Sequence, residues 1–502
     1  MIDTVSCENM RKSDSYTIEN FVSGTELMWR AAEGIYKSVE WRGKIGIVCG
    51  SGNNAGDGYA LALILKQNGI EPELIRLSDK LSRDGEYYYK KCVDVAIKAI
   101  YFDETDTLCG YDMLVDCILG TGFSGEVQGV QRRAIEAINN SGAYVVSADI
   151  NSGLNGDNGL CDIAVKSDIT VSVGTLKSGH ILARAKDFIG KLVNVDIGIK
   201  ILDKPYKLIE EKDVARVLKP RADFSNKGTY GYATLIGGCI EYSGAVKLAN
   251  LALSTLKAGA GVVKLATARS LFPSVSPYLL ESTFYPLSDS DGYIKFNPDE
   301  IDGALRGVRA AAIGMGMGAR SEAYSVIKHI LENYEIPIII DADGLNALSQ
   351  GDMSILKKTK CTVILTPHPG ELERLSGVKI ADMLKNPIEL SRSFAKEYGV
   401  ILLLKGTATV VTDGEEVYLI NRGCAGMASA GSGDVLAGIM LGICAQNRTQ
   451  GEEILNVCAS AYINGLAGEI AQERTGEISM LSSDTVSCIP DAILKITEKR
   501  SE

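Results

Sequence analysis

KIGIVCGSGNNAGDGYALALILKQNGI, residues 44–70, is the stretch that decides the fold of the amino-terminal half. Its residues 45–49 are an apolar run, residues 50–58 are rich in glycine and asparagine, and residues 59–67 are mostly apolar. This order predicts a short buried strand, a glycine-rich loop and a helix. Such a unit binds a pyrophosphate through backbone N–H groups at the helix N-terminus. The spacing is not G-x-G-x-x-G, and the loop adds side-chain oxygens that glycine lacks.

The sequence on either side of this unit continues the alternation of helices and strands. Residues 14–40 predict a helix, and further buried strands are predicted at residues 73–76, within 113–122 and within 143–153. Each strand is a continuous apolar run, which is typical of a parallel sheet covered by helices on both faces. The amino-terminal half is therefore predicted to be a doubly wound α/β domain.

Polar side chains follow three of these strands. They are Asn53 and Asn54, then Asp116, then Asp149 with Ser152. Ligands of such sheets bind beyond the carboxyl ends of the strands, so these side chains can meet at one edge. Oxygen donors without histidine or cysteine suit a hard cation. Each residue alone fits a loop cap equally well, but together with two glycine-rich loops they favour a cation-assisted nucleotide-type site.

Two further polar residues follow in residues 173–180. Lys177 fits either a cation beside the ligand or a solvated loop lysine, and the sequence does not separate the two. We assign His180 to a loop, since a single histidine indicates little by itself.

Four motifs of this half, in order and spacing, resemble the epimerase domain of the NAD(P)H-hydrate repair enzymes: NNAGDGYALA, VDCILGTGFSGE, SADINSG and TLKSGH. That family interconverts the R and S epimers of hydrated NADH and NADPH, here called NADHX and NADPHX. The resemblance covers about residues 10–205 and implies a Rossmann-like fold. It departs from the family pattern at Ala55, where glycine is usual, and at Asn151, where proline is usual.

The resemblance also implies roles for particular residues. Asp149 would be the acid/base group at the hydrated carbon, because a carboxylate can move a proton to or from the hydroxyl. Asn54, Asp116 and Ser152 would hold a potassium ion. The residues implied to bind the hydrate are Asn53, Asn54, Ala55, Gly56, Asp57, Gly120, Thr121, Gly122, Phe123, Ser124, Gly125, Glu126 and Asp149.

A change of composition marks the end of this domain. Residues 201–232 are charged, contain two prolines and lack an apolar strand-like run. We therefore predict two domains, residues 1–208 and 209–502. From residue 232 a second alternating pattern begins, with a helix predicted over residues 241–258 and a sheet that is again covered on both faces.

GMASAGSGDVLAGI, residues 426–439, is the most informative stretch of the second half. Gly431 to Gly433 form a turn without bulky side chains, on which N–H groups can close around an anion, and residues 435–444 predict a helix. Asp434 lies at the junction, where it can cap the helix or take a proton from a bound hydroxyl. The alternative is a buried helix of small residues with an aspartate cap. Lys405 follows a buried strand, and His368 fits a ligand contact or a structural loop residue equally well.

The late glycine turn with its aspartate resembles the ribokinase-like superfamily, in which this aspartate deprotonates an acceptor hydroxyl. Within it, TPHPGELERL, LLLKGTATVVTDG and GMASAGSGDVLAGI resemble the ADP- or ATP-dependent NAD(P)H-hydrate dehydratases over about residues 215–500. That family dehydrates the S epimer with an adenine nucleotide and Mg²⁺, and Asp434 would be the base. GMGMG at residues 314–318 departs from the family's GPGLG, and Cys424 replaces a usual asparagine.

This second resemblance also implies two sets of contacts. Those implied to bind the hydrate are Ala245, Gly316 or Gly318, His368 and Asp434. Those implied to bind the adenine nucleotide are Lys405, Gly406, Thr407, Ala408, Thr409 and Gly433. One half would make the epimer that the other consumes, so the interpretation is a bifunctional repair enzyme, with ADP favoured by resemblance to fused bacterial enzymes.

Composition limits the alternatives. The net charge of -11 and the absence of a basic arm argue against a nucleic-acid partner. The sequence shows neither a signal peptide nor an apolar run of the roughly 18–20 residues that a membrane span needs. The 12 cysteines are scattered and fit a reducing compartment, so we expect a cytoplasmic protein, and we expect a homo-oligomer. Two rival interpretations are a vitamin-precursor kinase with an accessory domain and a nucleotide-sensing module without catalysis.

Overall fold

The computed structural model describes residues 1–103, 105, 107–254, 259–447 and 451–498. It divides into two compact units, one of residues 2–206 and one of residues 207–502 together with Met1. Each unit contains its own sheet and is described separately below.

The first unit is built on a seven-stranded sheet in which every neighbouring pair of strands is parallel. The strands of this unit are β1 (Ile2–Val5), β2 (Ile45–Cys49), β3 (Pro72–Arg76), β4 (Lys98–Tyr101), β5 (Met113–Cys117), β6 (Tyr144–Ala148), β7 (Ser167–Val173), β8 (Leu176–Lys177) and β9 (Ile189–Val195). The helices are α1 (Cys7–Asn20), α2 (Gly24–Ser38), α3 (Asn53–Gln67), α4 (Arg83–Asp94), α5 (Gly129–Asn139) and α6 (Ala185–Phe188). The sheet order is β4-β3-β2-β5-β6-β7-β9, and β1 and β8 pair in parallel with each other outside this sheet.

The order of the strands places the ligand crevice of this sheet. The chain moves outward from β2 to β3 and β4 and then returns to lay β5 on the other side of β2. Ligands of doubly wound sheets bind at such a switch point, beyond the carboxyl ends of the strands. The two glycine-rich segments singled out in the sequence follow β2 and β5, so they flank this switch point. The loop predicted over residues 50–58 is shorter than expected, because α3 begins at Asn53 and residues 53–58 form its first turns.

The single helix predicted over residues 14–40 is wrong, since two helices occupy this region. The hydroxyl of Ser23 accepts a hydrogen bond from the backbone N–H of Glu26 and caps the N-terminus of α2. A serine with this capping role starts a new helix, and the chain turns between residues 21 and 23. The predicted apolar face of Leu27, Met28, Ala31 and Ala32 is buried as expected.

The second unit has a longer sheet. The strands of this unit are β10 (Tyr206–Leu208), β11 (Tyr232–Ile236), β12 (Val262–Ala268), β13 (Ser282–Leu287), β14 (Asp289–Ser290), β15 (Tyr293–Ile294), β16 (Ala310–Ile313), β17 (Ile338–Ile340), β18 (Val363–Leu365), β19 (Ile401–Leu404), β20 (Thr409–Thr412) and β21 (Val417–Ile420). Within this unit the sheet order is β13-β12-β11-β16-β17-β18-β19-β20-β21-β10. The strands from β13 to β19 are parallel, and β20 is antiparallel to both of its neighbours.

Twelve helices of the described residues belong to this unit. They are α7 (Glu211–Val217), α8 (Ser243–Ser254), α9 (Phe272–Val275), α10 (Pro298–Leu305), α11 (Ala323–Asn333), α12 (Asp343–Gln350), α13 (Pro369–Ser376), α14 (Ile380–Lys385), α15 (Pro387–Tyr398), α16 (Ser432–Gln446), α17 (Glu453–Thr475) and α18 (Ser482–Glu498). The helix predicted over residues 241–258 corresponds to α8, and its residues 255–258 lie outside the described residues. The α/β class predicted for both halves is confirmed.

Helix α16 is the central helix of this unit. Every residue from Val435 to Ala445 is buried, because the helix packs against α8, α17 and the sheet. At Gly438 an added Cβ would lie 2.3 Å from the carbonyl oxygen of Ala249 in α8, so only glycine allows this close approach of the two helices.

Helix α17 is long and apolar enough to cross a membrane by length and composition. Of its most apolar 18-residue window, 83% is buried inside the protein. Burial of this extent is usual for the core helix of a domain, so the apolar character of α17 is explained by packing.

Candidate active sites

A cavity of about 640 Å³ lies at the switch point of the first sheet. Its wall includes the loop after β2, the loop after β5 and residues of α1 and α2. Of the residues that the sequence suggested for hydrate binding, those that line the cavity are Asn53, Asn54, Asp57, Gly120, Thr121, Gly122, Phe123, Ser124 and Asp149. Loops separated by more than 60 residues in sequence thus meet at one site.

Four suggested residues do not line this cavity. Ala55 is buried in the core, and an added Cβ at Gly56 would lie 2.5 Å from Cε of Met28. Both residues therefore allow α3 to pack closely against α2. Gly125 and Glu126 are exposed beyond the lining residues.

Asp149 is held in place by a network of buried side chains. Its backbone is left-handed, with φ of 60°, a conformation that aspartate adopts more readily than most residues. Lys177, only 1% exposed, donates from Nζ to Oδ1 of Asp149 at 2.5 Å and to the carbonyl of Val173 at 2.7 Å. The backbone N–H of Val173 donates to the same Oδ1 at 3.1 Å. The second alternative for Lys177, a solvated loop lysine, is therefore wrong.

His180 is a second member of this network. Its Nδ1 accepts a hydrogen bond from the backbone N–H of Lys177 at 3.0 Å, so the ring proton is on Nε2, which donates to the carbonyl of Asp149 at 2.7 Å. Burial, together with the charge of Lys177, lowers the pKa of His180 to about 4. The imidazole is therefore neutral near pH 7 and fixes the backbone of Asp149 rather than titrating.

Three more carboxyl groups line the same cavity, those of Asp14, Asp57 and Asp84. Burial raises the pKa of Asp57 well above its ordinary value, and the charges of Asp149 and Asp14 raise it further. Burial raises the pKa of Asp14 to about 6, with Lys177 opposing and Asp149 reinforcing the shift. Asp14 was not predicted as a site residue, since nothing in the sequence pattern of α1 indicates which side of the helix faces a cavity.

The three residues suggested for a cation meet around Leu119. Asn54 donates from Nδ2 to the carbonyl of Leu119 at 2.8 Å, and the hydroxyl of Ser152 accepts from the N–H of Leu119 at 2.8 Å. Asp116 is fully buried and accepts hydrogen bonds from Ser147, from Ser152 and from the N–H of Ile118. Burial raises the pKa of Asp116, and these hydrogen bonds oppose the rise.

One atom of this group suits a cation. Oδ1 of Asn54 is buried and has no hydrogen-bond partner among the described residues. An unpaired buried carbonyl oxygen costs free energy unless a donor or an ion reaches it. The donor set of carbonyl, hydroxyl and carboxylate oxygens therefore fits a hard cation.

In the second unit the candidate residues gather at the carboxyl ends of β17, β18 and β19. Lys405, directly after β19, donates from Nζ to Oδ1 of Asp341 at 2.8 Å and lies 3.9 Å from Oε2 of Glu371. Burial alone would lower the pKa of Lys405, but Asp341 and Glu371 outweigh it, so the pKa is raised. The lysine is therefore a fixed positive charge at this edge of the sheet.

Asp434 lies in the first turn of α16, beside this ion pair. Burial, followed by the negative charge of Asp341, raises the pKa of Asp434 to about 7, while Lys405 opposes the rise. An added Cβ at Gly433 would lie 3.3 Å from Nζ of Lys405. Glycine at this position therefore leaves the lysine close to the backbone of the turn, and Gly431, with φ of 95°, begins the helix in a conformation that favours glycine.

The glycine-rich loop after β16 approaches the same region. An added Cβ at Gly314 would lie 1.9 Å from the carbonyl oxygen of Asp341, and one at Gly316 would lie 2.9 Å from Cβ of Ala245. The N–H of Gly318 donates to Asp343 at 2.8 Å. Ala245, Gly316 and Gly318 are thus adjacent to residues that follow β17. Between Asp341 and Asp343, Ala342 has φ of 49°, an uncommon conformation for a residue with a side chain.

His368 caps the N-terminus of α13. Its Nδ1 accepts from the backbone N–H groups of Gly370 and Glu371, while Glu371 accepts from the N–H of His368. Nδ1 of this histidine therefore has the structural role that was one of the two interpretations of His368. Its side chain is 52% exposed, and Nε2 lies 3.6 Å from Oε1 of Glu371.

The remaining nucleotide candidates form the turn between β19 and β20. Gly406 and Thr407 are exposed, Thr409 starts β20, and Ala408 is buried with its side chain away from solvent. Across the described residues, no group of three or more His, Cys, Asp or Glu side chains is arranged to hold a metal ion. A magnesium ion here would depend on nucleotide phosphates and water together with one or two carboxylates, as is usual for Mg²⁺.

A second cavity, of about 670 Å³, lies in the second unit between α11 and residues 352–360. None of the candidate residues lines it.

Fold and site geometry together define a two-domain α/β enzyme in which each domain gathers polar side chains beyond the carboxyl ends of parallel strands. Comparison with known proteins narrows this class. A family model described as NAD(P)H-hydrate dehydratase matches residues 233–491, and one described as YjeF-related protein N-terminus matches residues 24–179.

Relatives match along nearly the whole chain. A protein of Archaeoglobus fulgidus, described as bifunctional NAD(P)H-hydrate repair enzyme Nnr, is 32% identical over 499 residues, covering 98% of this chain and 99% of the relative. A protein of Thermofilum pendens with the same description is 32% identical over 466 residues, covering 90% and 88%. The chain therefore belongs to the family of bifunctional NAD(P)H-hydrate repair enzymes.

Solved structures match the second unit. The ADP/ATP-dependent NAD(P)H-hydrate dehydratase from Bacillus subtilis, co-crystallised with ATP and Mg²⁺, is 28% identical with a TM-score of 0.50, covering 58% of this chain and 99% of that protein. A ribokinase-like superfamily protein from Enterococcus faecalis is 23% identical with a TM-score of 0.50, covering 58% and 97%, and this similarity concerns the fold alone.

Proposed function

We propose that residues 1–208 epimerise hydrated NADH and NADPH and that residues 209–502 dehydrate the S epimer to NADH or NADPH at the expense of ADP or ATP. Membership of the repair-enzyme family and the matched family models in both halves support this division of labour. Either epimer of a damaged cofactor would thus be returned to use by one chain.

In the epimerase domain the hydrate binds in the 640 Å³ cavity, between the start of α3 and the loop that follows β5. Asp149 moves a proton to or from the hydroxyl of the hydrated ring, and Lys177 compensates its charge. Asn54, Asp116 and Ser152 would hold a potassium ion, which would supply a fixed positive charge beside the anionic substrate. The unpaired Oδ1 of Asn54 supports this assignment.

In the dehydratase domain Asp434 takes the proton of the hydrate hydroxyl, and the oxygen attacks the terminal phosphate of the nucleotide. The phosphorylated hydroxyl then leaves as phosphate, and a ring proton is lost, which restores the double bond. Mg²⁺, bound through the nucleotide phosphates and one or two carboxylates, would neutralise phosphate charge. Ala245, Gly316, Gly318 and His368 contact the hydrate together with Asp434; Lys405, Gly406, Thr407, Ala408, Thr409 and Gly433 contact the nucleotide.

The observation that carries this proposal is the arrangement of Asp434 and Lys405 on either side of the glycine turn. A carboxyl group with a pKa of about 7 accepts a proton near neutral pH, and an ammonium group 3.3 Å from the Gly433 Cβ position suits a phosphate.

The test is recovery of absorbance at 340 nm from a mixed R/S NADH-hydrate preparation with ADP or ATP, magnesium and potassium. We expect complete recovery, with phosphate released in step. Recovery that stops with the R form left over would refute the epimerase. A stable phosphorylated product without phosphate release would instead support a ribokinase-like small-molecule kinase.

We further propose ADP as the preferred donor, with AMP and phosphate as products. The acidic net charge and the burial of α17 support a cytoplasmic protein without a nucleic-acid or membrane partner. A homo-oligomer is proposed by resemblance only, and light scattering of the purified protein tests it.

A further inference from the structure

Asp14 of α1 is an acidic residue that the proposed epimerase mechanism does not use. It lines the same cavity as Asp149 and Lys177, and it is close enough to both for their charges to act on it. In the described part of the chain its carboxyl group makes no hydrogen bond and no ion pair. A half-buried carboxyl in a cavity wall without a protein partner has its full hydrogen-bonding capacity available to a ligand.

The chemistry of the substrate requires two proton-transfer groups. Water adds to an enamine of the reduced ring at the carbon next to nitrogen, so the hydrate is a carbinolamine. To invert this carbon, the C–O bond must break on one face of the ring and form again on the other. The departing hydroxyl needs a proton, and the incoming water must lose one.

We propose that Asp14 is the second catalytic carboxyl group of the epimerase site, which acts as the acid on the face of the ring opposite Asp149. This inference rests on the epimerase function proposed above. The Asp14 carboxyl protonates the hydroxyl oxygen, the C–O bond breaks, and the electron pair of the ring nitrogen forms a C=N bond as water leaves. Water then adds to the opposite face, the C=N pair returns to nitrogen, and the Asp149 carboxylate takes the proton. One proton has moved from Asp14 to Asp149, and exchange with solvent resets the pair.

The surroundings of the two carboxyl groups differ in the way these roles require. Asp149 is ion-paired to the buried ammonium of Lys177 at 2.5 Å, which stabilises the carboxylate. Asp14 has no such partner, and burial raises its pKa to about 6, with Asp149 adding to the rise and Lys177 opposing it. Two carboxyl groups in one site whose environments differ are a common source of separate acid and base roles.

Asp57 and Asp84 also line this cavity, and Asp57 is less suited to the role than Asp14. Its pKa lies well above the ordinary value, because burial and the charges of Asp149 and Asp14 all favour the protonated form. An acid works best when it can release and regain its proton near the working pH, which Asp14 can do. Asp57 is then a hydrogen-bond donor to the substrate.

The experiment compares the full-length wild type with Asp14→Asn, measuring R-to-S interconversion by NMR after subtraction of the uncatalysed rate. We expect kcat to fall by about 100-fold or more while KM stays within about 3-fold. Dehydration of purified S hydrate by the same protein sample is expected to remain at the wild-type rate, which shows that the second unit is intact, and an unchanged thermal unfolding curve shows that the first unit is folded. Glu19→Gln is the matched control, since Glu19 is an exposed residue of the same helix outside the cavity.

The pH profile separates a catalytic from a structural role. The wild-type rate is expected to fall as pH rises above about 6, because Asp14 must be protonated; Asp14→Glu should keep this limb, and Asp14→Asn should lose it. A kcat of Asp14→Asn within about 3-fold of wild type, or a wild-type profile flat from pH 6 to pH 8, would overturn the proposal. A wild type that does not interconvert the epimers at all would refute the epimerase function itself.

Discussion

Dehydration at the second site is expected to require the ionised form of Asp434. Its rate should therefore depend on pH in a range where an ordinary aspartate is already ionised. Burial and the neighbouring Asp341 raise the pKa of Asp434 to about 7 from its ordinary value of 3.8. A base with this pKa is about 90% ionised at pH 8, about 10% at pH 6 and about 1% at pH 5. We therefore expect kcat/KM to fall about 10-fold between pH 8 and pH 6 and about 100-fold by pH 5.

A single substitution tests the cause of this shift. Asp341 contributes the largest charge effect on Asp434, so Asp341→Asn should lower the pKa of Asp434 and move the acid limb to lower pH. The assay is recovery of 340-nm absorbance from purified S hydrate at saturating ADP, with phosphate measured in parallel and melting temperature recorded at each pH. A rate that stays constant from pH 8 to pH 5, or a limb that Asp341→Asn does not move, would refute the reasoning.

Four further outcomes follow from the contacts described. Asp434→Asn should retain ADP binding, measured by calorimetry, while its dehydration rate falls about 100-fold or more. The raised pKa of Asp434 means that its ionisation destabilises the fold as pH rises through about 7. The variant should therefore have a higher melting temperature than wild type at pH 8, and this difference should shrink toward pH 5. Lys177→Met leaves the charge of Asp149 without its partner and should lower both the melting temperature and the epimerisation rate, whereas an unchanged rate would contradict the positioning role. Gly314→Ala should cost about 1–3 kcal/mol in urea unfolding, because its Cβ would lie 1.9 Å from the carbonyl oxygen of Asp341. Replacing potassium by tetramethylammonium should slow epimerisation and leave dehydration of purified S hydrate unchanged.

Local sequence patterns were sufficient to predict the helices and strands that depend on residues close in sequence. The apolar run at residues 45–49 coincides with β2, and the small-residue helix predicted at 435–444 lies within α16. The helix starts earlier than predicted because Gly431 adopts a left-handed conformation, which allows Ser432 to Asp434 to form its first turn. The sequence did not predict that a new helix starts after Ser23. The apolar pattern continues across this serine, and its capping role is visible only in the folded chain.

Features that depend on contacts between residues far apart in sequence could not be predicted from local patterns. The sequence left Lys177 undecided because its burial and its partner, Asp149, are set by the packing of separate strands. Asp14 carried no motif, and its raised pKa comes from a cavity wall formed by several elements. The unpaired oxygen of Asn54 depends on distant contacts in the same way. The amide nitrogen of this side chain donates to the carbonyl of Leu119, and the oxygen is left buried without a partner among the described residues.

The burial of α16 has a consequence for amide hydrogen exchange. Amides from Val435 to Ala445 lie in the packed centre of their unit, so they should exchange only when the whole unit unfolds. Residues 428–430, immediately before the helix, are exposed and should exchange from the native state. Asp434 therefore stands at a border between the slowest and the fastest amides of the region. Because the buried part of the helix begins at Val435, we expect adjustment to a bound nucleotide in the loop that precedes Asp434.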